Sequence, residues 1–248
     1  MNPVIKTILE RKSVRSFTDR EISPEEREII LRAAVSAPSP GNQQLYTVID
    51  VTDREVREKL AKSCDNQPFI AEGKMVLVFC ADCLKWYQAY QDTGCAPRKP
   101  GAGDLMLAVS DACIAAQTAV IAAESLGIGS CYIGDIMENC ELQRQILSLP
   151  RYVFPAVMVV FGYPTEQQKN REKPPRPALE RVVFSNSYPE FTAEDRKDVF
   201  SHKCGEQDYK EWMQAFCSRK YSSDFSREMT RSVEEFLKDF SGLFRPVP

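Results

Sequence analysis

The chain carries a single histidine, His202, in 248 residues. Paired-histidine zinc chemistry is therefore closed to it, and a nucleophile–histidine triad could be built only with His202 as its base. His202 stands beside Lys203 in a charged helical pattern and reads as a surface residue. The nine cysteines are odd in number and lack framework spacing, so they read as reduced thiols of a cytoplasmic protein. Cys80-Ala81-Asp82-Cys83 has no second cysteine pair at matching spacing, so no metal site is expected. A basic surplus is missing too: 32 Lys and Arg stand against 35 Asp and Glu, for a net charge of -3. Nucleic acid is not expected as a partner. The most apolar stretch, residues 112–123, is interrupted by Gln117 and Thr118 and falls short of the roughly 18 apolar residues a membrane span needs. The opening residues reach charge at Lys6, too early for a secretory signal.

What is present is an alternation of capped helices and apolar runs. Residues 3–10 put Ile5, Ile8 and Leu9 on one helical face. Ser23-Pro24-Glu25-Glu26 predicts a helix start, with Ser23 as the cap, Pro24 in the first turn and Glu26 closing a capping box. That helix stops at residues 38–41, where two prolines and a glycine predict a loop. Strands are predicted at residues 46–51, 75–80, 127–134 and 155–161, and the run 75–80 has the continuous apolarity of a strand buried on both faces. Shorter helices are predicted at 54–62 and 141–147. The longest, 104–126, is lined with alanine and belongs at the centre of the protein or at a subunit contact. Residues 91–103, rich in glycine and proline, predict a long mobile connection. A proline-rich arm runs through residues 173–177, and residues 191–240 read as helical.

Three segments carry candidate chemistry. Arg11-Lys12-Ser13-Val14-Arg15 puts three cations and a hydroxyl within five residues, a donor set suited to a phosphate monoester; the same residues would also make a solvated charged turn. Pro38-Ser39-Pro40-Gly41-Asn42-Gln43-Gln44 offers rigid backbone and three side-chain amides, which match a ring edge of mixed polarity or serve as a polar connection. Cys131-Tyr132-Ile133-Gly134 ends a strand on glycine, where backbone N–H groups can approach a flat ligand; the alternative is a plain buried strand. Cys80 reads as the last buried residue of its strand, a structural thiol. The aromatic residues of the last third, from Phe191 to Phe236, recur at roughly helical spacing and read as core.

These segments occur in an order that resembles the nitroreductase family of FMN-dependent flavoproteins. The resemblance rests on residues 8–17 (ILERKSVRSF), 37–44 (APSPGNQQ), 127–134 (GIGSCYIG) and 173–177 (KPPRP), and spans residues 3–183. It implies an α+β fold with a central, mainly antiparallel sheet flanked by helices, in a domain of residues 1–190. Residues 191–248 would form a helical C-terminal extension packed on that domain or on a partner subunit. It further implies a homodimer with FMN at the subunit interface. Arg11, Lys12, Ser13 and Arg15 would hold the phosphate and ribityl chain, with Arg176 closing on the phosphate. Asn42 and Gln44 would reach the ribityl or ring edge, and Pro38, Ser39 and Pro40 would cover the ring from the other subunit. Backbone N–H groups around Ile133 and Gly134 would face the flavin N5 and O4, and the alanine-lined helix would be the dimer seam.

The activity implied is hydride transfer from NADPH or NADH through the flavin to a small acceptor, a nitroaromatic or quinone, with no catalytic side chain. One alternative is a specialised activity on the same fold, reductive dehalogenation or flavin destruction; another, of a different class, is a flavin-binding module or redox-regulated interaction protein with Cys80 and Cys83 as a thiol switch. Leu45-Tyr46 stands where family members often carry Pro-Trp.

Overall fold

Two continuous apolar runs build the middle of the sheet. In the computed structural model, which describes residues 1–241, β2 (Met75–Asp82) and β4 (Val153–Gly162) are buried along their whole length. They pair antiparallel, with a register shift between Phe79 and Cys80. β1 (Tyr46–Asp50) adds to the outer edge of β2 and β3 (Gly129–Ile133) to that of β4, giving an antiparallel sheet in the order β1-β2-β4-β3. The mainly antiparallel α+β core is as expected.

The helices begin where side-chain caps allow. α1 (Pro3–Glu10) is capped by Asn2, and α2 (Pro24–Val35) by the Ser23–Glu26 box. Asp53 caps α3 (Arg54–Ser63), which is followed by the single turn α4 (Phe69–Glu72). α5 (Leu84–Asp92) departs from the sequence reading, which gave no helix here. Its first N–H groups are satisfied from one residue before the N-cap Cys83: Asp82, the end of β2, accepts through Oδ1 from the Leu84 and Lys85 N–H groups at 3.0 and 3.1 Å. With α5 in place, the connection expected over 91–103 shrinks to residues 93–101. It is pinned at both ends, by Cys95 N–H on the Tyr90 carbonyl (2.9 Å) and by Arg98 on Asp104.

α6 (Ala102–Ser125) runs through the centre. With a mean hydropathy of 1.8 it is long and apolar enough to cross a membrane by length and composition. Its alanines, Ala108, Ala112, Ala115, Ala116, Ala119 and Ala123, are fully buried and let it press closely on α2, β2 and β4. The small-residue stripe is thus spent inside its own subunit. The outer face of the helix carries the exposed Met106, Leu107 and Ile114 instead. α7 (Cys140–Leu147) and α8 (Glu166–Asn170) complete this part of the chain.

The described residues divide into two compact units, Met1–Arg171 with the chain from Met229 onward, and Glu172–Glu228. α11 (Asp224–Leu237) starts in the second and ends in the first, where Phe236 is buried edge-on against Phe154 and the Ser232 hydroxyl accepts from Cys140 N–H at 2.8 Å. The second unit holds α9 (Ala193–Ser201), capped by Thr192 and Asp195, and α10 (Tyr209–Lys220), on which Trp212 stacks on Phe216 at 4.9 Å. The late aromatic residues do not form one core. Phe236 is buried, whereas Tyr221 is 83% exposed. His202 is half-buried, its Nδ1 2.9 Å from the Val199 carbonyl oxygen.

Two glycines set how the chain after α1 lies on the sheet. A Cβ on Gly129 would come within 2.5 Å of Val14 Cγ2, and one on Gly162 within 2.7 Å of the Phe17 ring. Gly129→Ala should therefore cost about 2 kcal/mol of stability through overpacking, read as a lower urea midpoint at unchanged m-value.

Candidate functional site

The basic turn is not a free loop. After α1 ends at Arg11, residues 11–17 run extended along the sheet: Val14 N–H donates to the Ser130 carbonyl at 2.8 Å and Thr18 N–H to that of Tyr163 at 2.8 Å. Val14 is buried beneath. In an extended segment alternate side chains share a face, which groups Arg11, Ser13 and Arg15. Both arginines reach β3. Burial pushes the Cys131 thiol up, while the charges of Arg15 and Arg11 pull it the other way. Neither arginine is ion-paired among the described residues. Lys12 turns aside, its ammonium donating to the carbonyls of Lys169 (2.6 Å) and Arg171. The same strap returns contacts to the turn, as Arg171 donates to the Ser13 carbonyl at 2.5 Å and Gln168 Oε1 accepts from Arg15 N–H at 3.3 Å.

Further along β3, Ile133 is buried and Gly134 exposed, so the strand ends on open backbone. Gln67 borders this end: its Nε2 donates to Asp135 Oδ2 at 2.5 Å and to the Cys64 carbonyl at 2.9 Å. Neither Gln67 nor Asp135 belongs to a recognisable local pattern. Their pairing spans 68 residues and shows only in the fold.

The amide loop has a separate anchor. Pro38 and Pro40 are exposed, and Gly41, Asn42 and Gln44 all take left-handed backbone at φ +57°, +54° and +48°. Two of these are not glycine, a strained arrangement that its surroundings must hold. Asp111 of α6, 1% exposed, does so: its Oδ2 accepts from the Ser39 hydroxyl at 2.8 Å and from Leu45 N–H at 2.7 Å. Ser39 Oγ accepts in turn from Gln44 N–H at 2.7 Å, and Gln44 Nε2 donates to Asn42 Oδ1 at 2.8 Å. From α5, Lys85 donates to the Gln44 and Tyr46 carbonyls, and Trp86 Nε1 to that of Gln43 at 2.8 Å. Asp111, Lys85 and Trp86 escaped the sequence reading, because an acidic residue in an alanine-rich helix gives no local sign of a loop 66 residues away.

One chain thus brings Arg11, Ser13, Arg15, Ile133 and Gly134 together along β3, and holds Ser39, Asn42 and Gln44 on α5 and α6. Arg176 lies exposed in the second unit, in a stretch without regular structure. Cys80 and Cys83 are buried, and burial pushes both thiols up to about 12. Among the described residues no group of histidines, cysteines and carboxylates could hold a metal ion.

Cations on the segment that runs along β3 and an amide loop held by α6 offer donors to an anionic, planar ligand. The chain belongs to the nitroreductase family, whose model matches residues 8–163. It is 32% identical over 240 residues to an FMN reductase [NAD(P)H] of Bacillus subtilis, covering 96% of this chain and 92% of the relative. It is 36% identical over 188 residues to an oxygen-insensitive NADPH nitroreductase of Salmonella typhimurium, covering 76% and 75%. The NADPH:FMN oxidoreductase of Vibrio harveyi, solved with NAD+, superposes with a TM-score of 0.81 at 27% identity over 95% of this chain and 98% of that one.

Two outcomes follow from this geometry. Asp111→Ala leaves the Ser39 hydroxyl and Leu45 N–H unpaired and should cost about 2–3 kcal/mol of stability, read by urea unfolding. Asp111→Asn, which keeps one acceptor for both donors, should recover most of it. At pH 8 the native protein should take up iodoacetamide at the exposed Cys95 and Cys217, with Cys80 and Cys83 unlabelled until urea is added. A thiol labels through its thiolate, so a raised value suppresses reaction below it and releases it only as pH approaches 12. Peptide mapping reads both arms.

Proposed function

We propose that this protein is an FMN-dependent oxidoreductase that takes a hydride from NADPH or NADH and passes it to a small acceptor, a nitroaromatic or quinone. It would act as a soluble, cytoplasmic homodimer. The single observation that carries the reading is the gathering of Arg11, Ser13 and Arg15 on β3 beside the open backbone at Gly134. Guanidinium and hydroxyl donors on one face suit a phosphate monoester, and a bare strand end suits a flat ring, so the donor set fits FMN. When bound, the flavin supplies N5 as the hydride carrier between the two substrates.

The residues of the chain supply position and charge. Arg11, Ser13 and Arg15 hold the phosphate end, with Lys12 tying the 169–171 strap behind them. Backbone N–H groups at Ile133 and Gly134 face the ring edge, where fixed donors favour negative charge. Pro38, Ser39, Pro40, Asn42 and Gln44 serve from the loop anchored on α5 and α6. The separate anchoring of loop and basic turn supports sharing between two copies. So does the exposed apolar surface of Met106 and Ile114 on α6, together with Val4, Ile5, Ile8 and Leu9 of α1. The names of the Bacillus, Salmonella and Vibrio relatives, which specify FMN, NADPH or both, support the cofactor and the donor.

The test is the visible spectrum of the purified protein under anaerobic conditions. A bound flavin should bleach with NADPH or NADH and recover on adding 1,4-benzoquinone; a flavin that neither donor reduces would overturn the reading. Arg11→Ala and Arg15→Ala should each weaken FMN retention by about 2 kcal/mol, the size of a charge-assisted hydrogen bond. Unchanged flavin content in both would remove the phosphate assignment.

A further inference from the structure

A cavity opens beside the amide loop, between α5, the 93–101 connection and the start of α6, with a volume of about 370 Å³. That is the size of a small-molecule site. Its walls are largely aromatic and apolar. Trp86 and Tyr90 lie with ring centres 5.6 Å apart, tilted by 39°, and Leu107 faces them from α6. Pro97 and Pro100 stiffen the connection that closes it. The only N–H of the Trp86 side chain is already spent on the Gln43 carbonyl, so the indole offers the cavity ring surface and no donor.

The charged groups at the cavity cancel. Arg98 grips Asp104 with two nitrogens, at 2.5 and 2.9 Å, so the two are one bidentate pair. Among the described residues no other Lys, Arg, Asp or Glu lines the cavity. A nucleotide or other phosphate would meet no uncompensated cation there, whereas a neutral flat ring would meet aromatic faces and little that needs a hydrogen bond. The amide loop ties the cavity to the candidate site, because Leu45 lines the cavity while its N–H is held by Asp111.

We propose that this cleft is a binding site for neutral, flat aromatic molecules, with Trp86, Tyr90 and Leu107 as its recognition surface. Resting on the function proposed above, such a molecule is the electron acceptor, and the cleft sets a preference for neutral bicyclic rings over charged ones.

The test uses the flavin-loaded protein carrying Trp212→Phe, which leaves Trp86 as its one tryptophan. Titration with 1,4-naphthoquinone should quench Trp86 fluorescence saturably, and a sulfonated naphthoquinone should bind at least tenfold more weakly. Leu107→Arg places a cation in the cleft from an exposed position, so folding is preserved, and should weaken naphthoquinone binding at least tenfold; Tyr90→Ala should weaken it severalfold. In turnover, Leu107→Arg should raise KM for naphthoquinone while flavin content and bleaching by NADPH stay as in the parent. Linear, unsaturable quenching, or equal affinity in parent and Leu107→Arg, would overturn the cleft. The hydride reading would survive that result if NADPH still bleached the flavin. Saturable binding lost in Leu107→Arg would uphold the cleft even with a flavin that no nicotinamide reduces.

Discussion

The candidate site depends on two side chains that are missing. Because Gly129 and Gly162 present bare backbone, Val14 and Phe17 lie flat on β3 and β4 where Cβ atoms would otherwise stand. Burying Val14 on one face obliges Arg11, Ser13 and Arg15 to share the other. Three cations within five residues repel one another, and their placement is enforced by apolar packing and backbone hydrogen bonds rather than by any attraction among them. Steric contact with the sheet sets the position of the charge, and the unneutralised guanidinium groups make that position favourable for an anion.

The second anchor works in the opposite way, by a buried charge rather than a buried hydrocarbon. Asp111 is set among the alanines of α6, and a carboxylate there is tolerable only if it is hydrogen-bonded. One of its oxygens meets two donors of the amide loop, which offsets the cost of holding Asn42 and Gln44 in left-handed backbone. The two anchors sit on different elements, β3 for the cations and α5 with α6 for the amides. One chain therefore carries two separately anchored segments, each held by its own means, and this separation underlies the proposal that two copies combine.

Much of this was legible in the sequence where the signal is local. The Ser23–Glu26 box, the apolar runs of β2 and β4 and the basic turn each announce themselves within a few residues. α5 did not, because Asp82, which satisfies its first N–H groups, doubles as the last residue of a strand and its exposed face is polar. The alanine stripe of α6 was read as pointing to the centre or to a partner. Small residues permit close approach from either quarter, and only the packing against α2, β2 and β4 decides. Asp111, Gln67 and Lys85 carry no local signal for a common reason: each acts on backbone or side chains 39 to 72 residues away, a distance at which residue type carries no pattern.

The scarcity of histidine finds its counterpart in how the fold uses its buried polar groups. Asp82 satisfies the first N–H groups of α5, Asp111 holds the amide loop, and the Ser232 hydroxyl accepts from Cys140 N–H while donating to the Met137 carbonyl. Each of these groups is committed to backbone or to a loop hydroxyl, and so to shape. Polar side chains used in this way fix backbone N–H groups and hydroxyls in place. That is the division of labour a cofactor-borne hydride transfer requires, since electrostatic preorganisation is then the protein's main contribution.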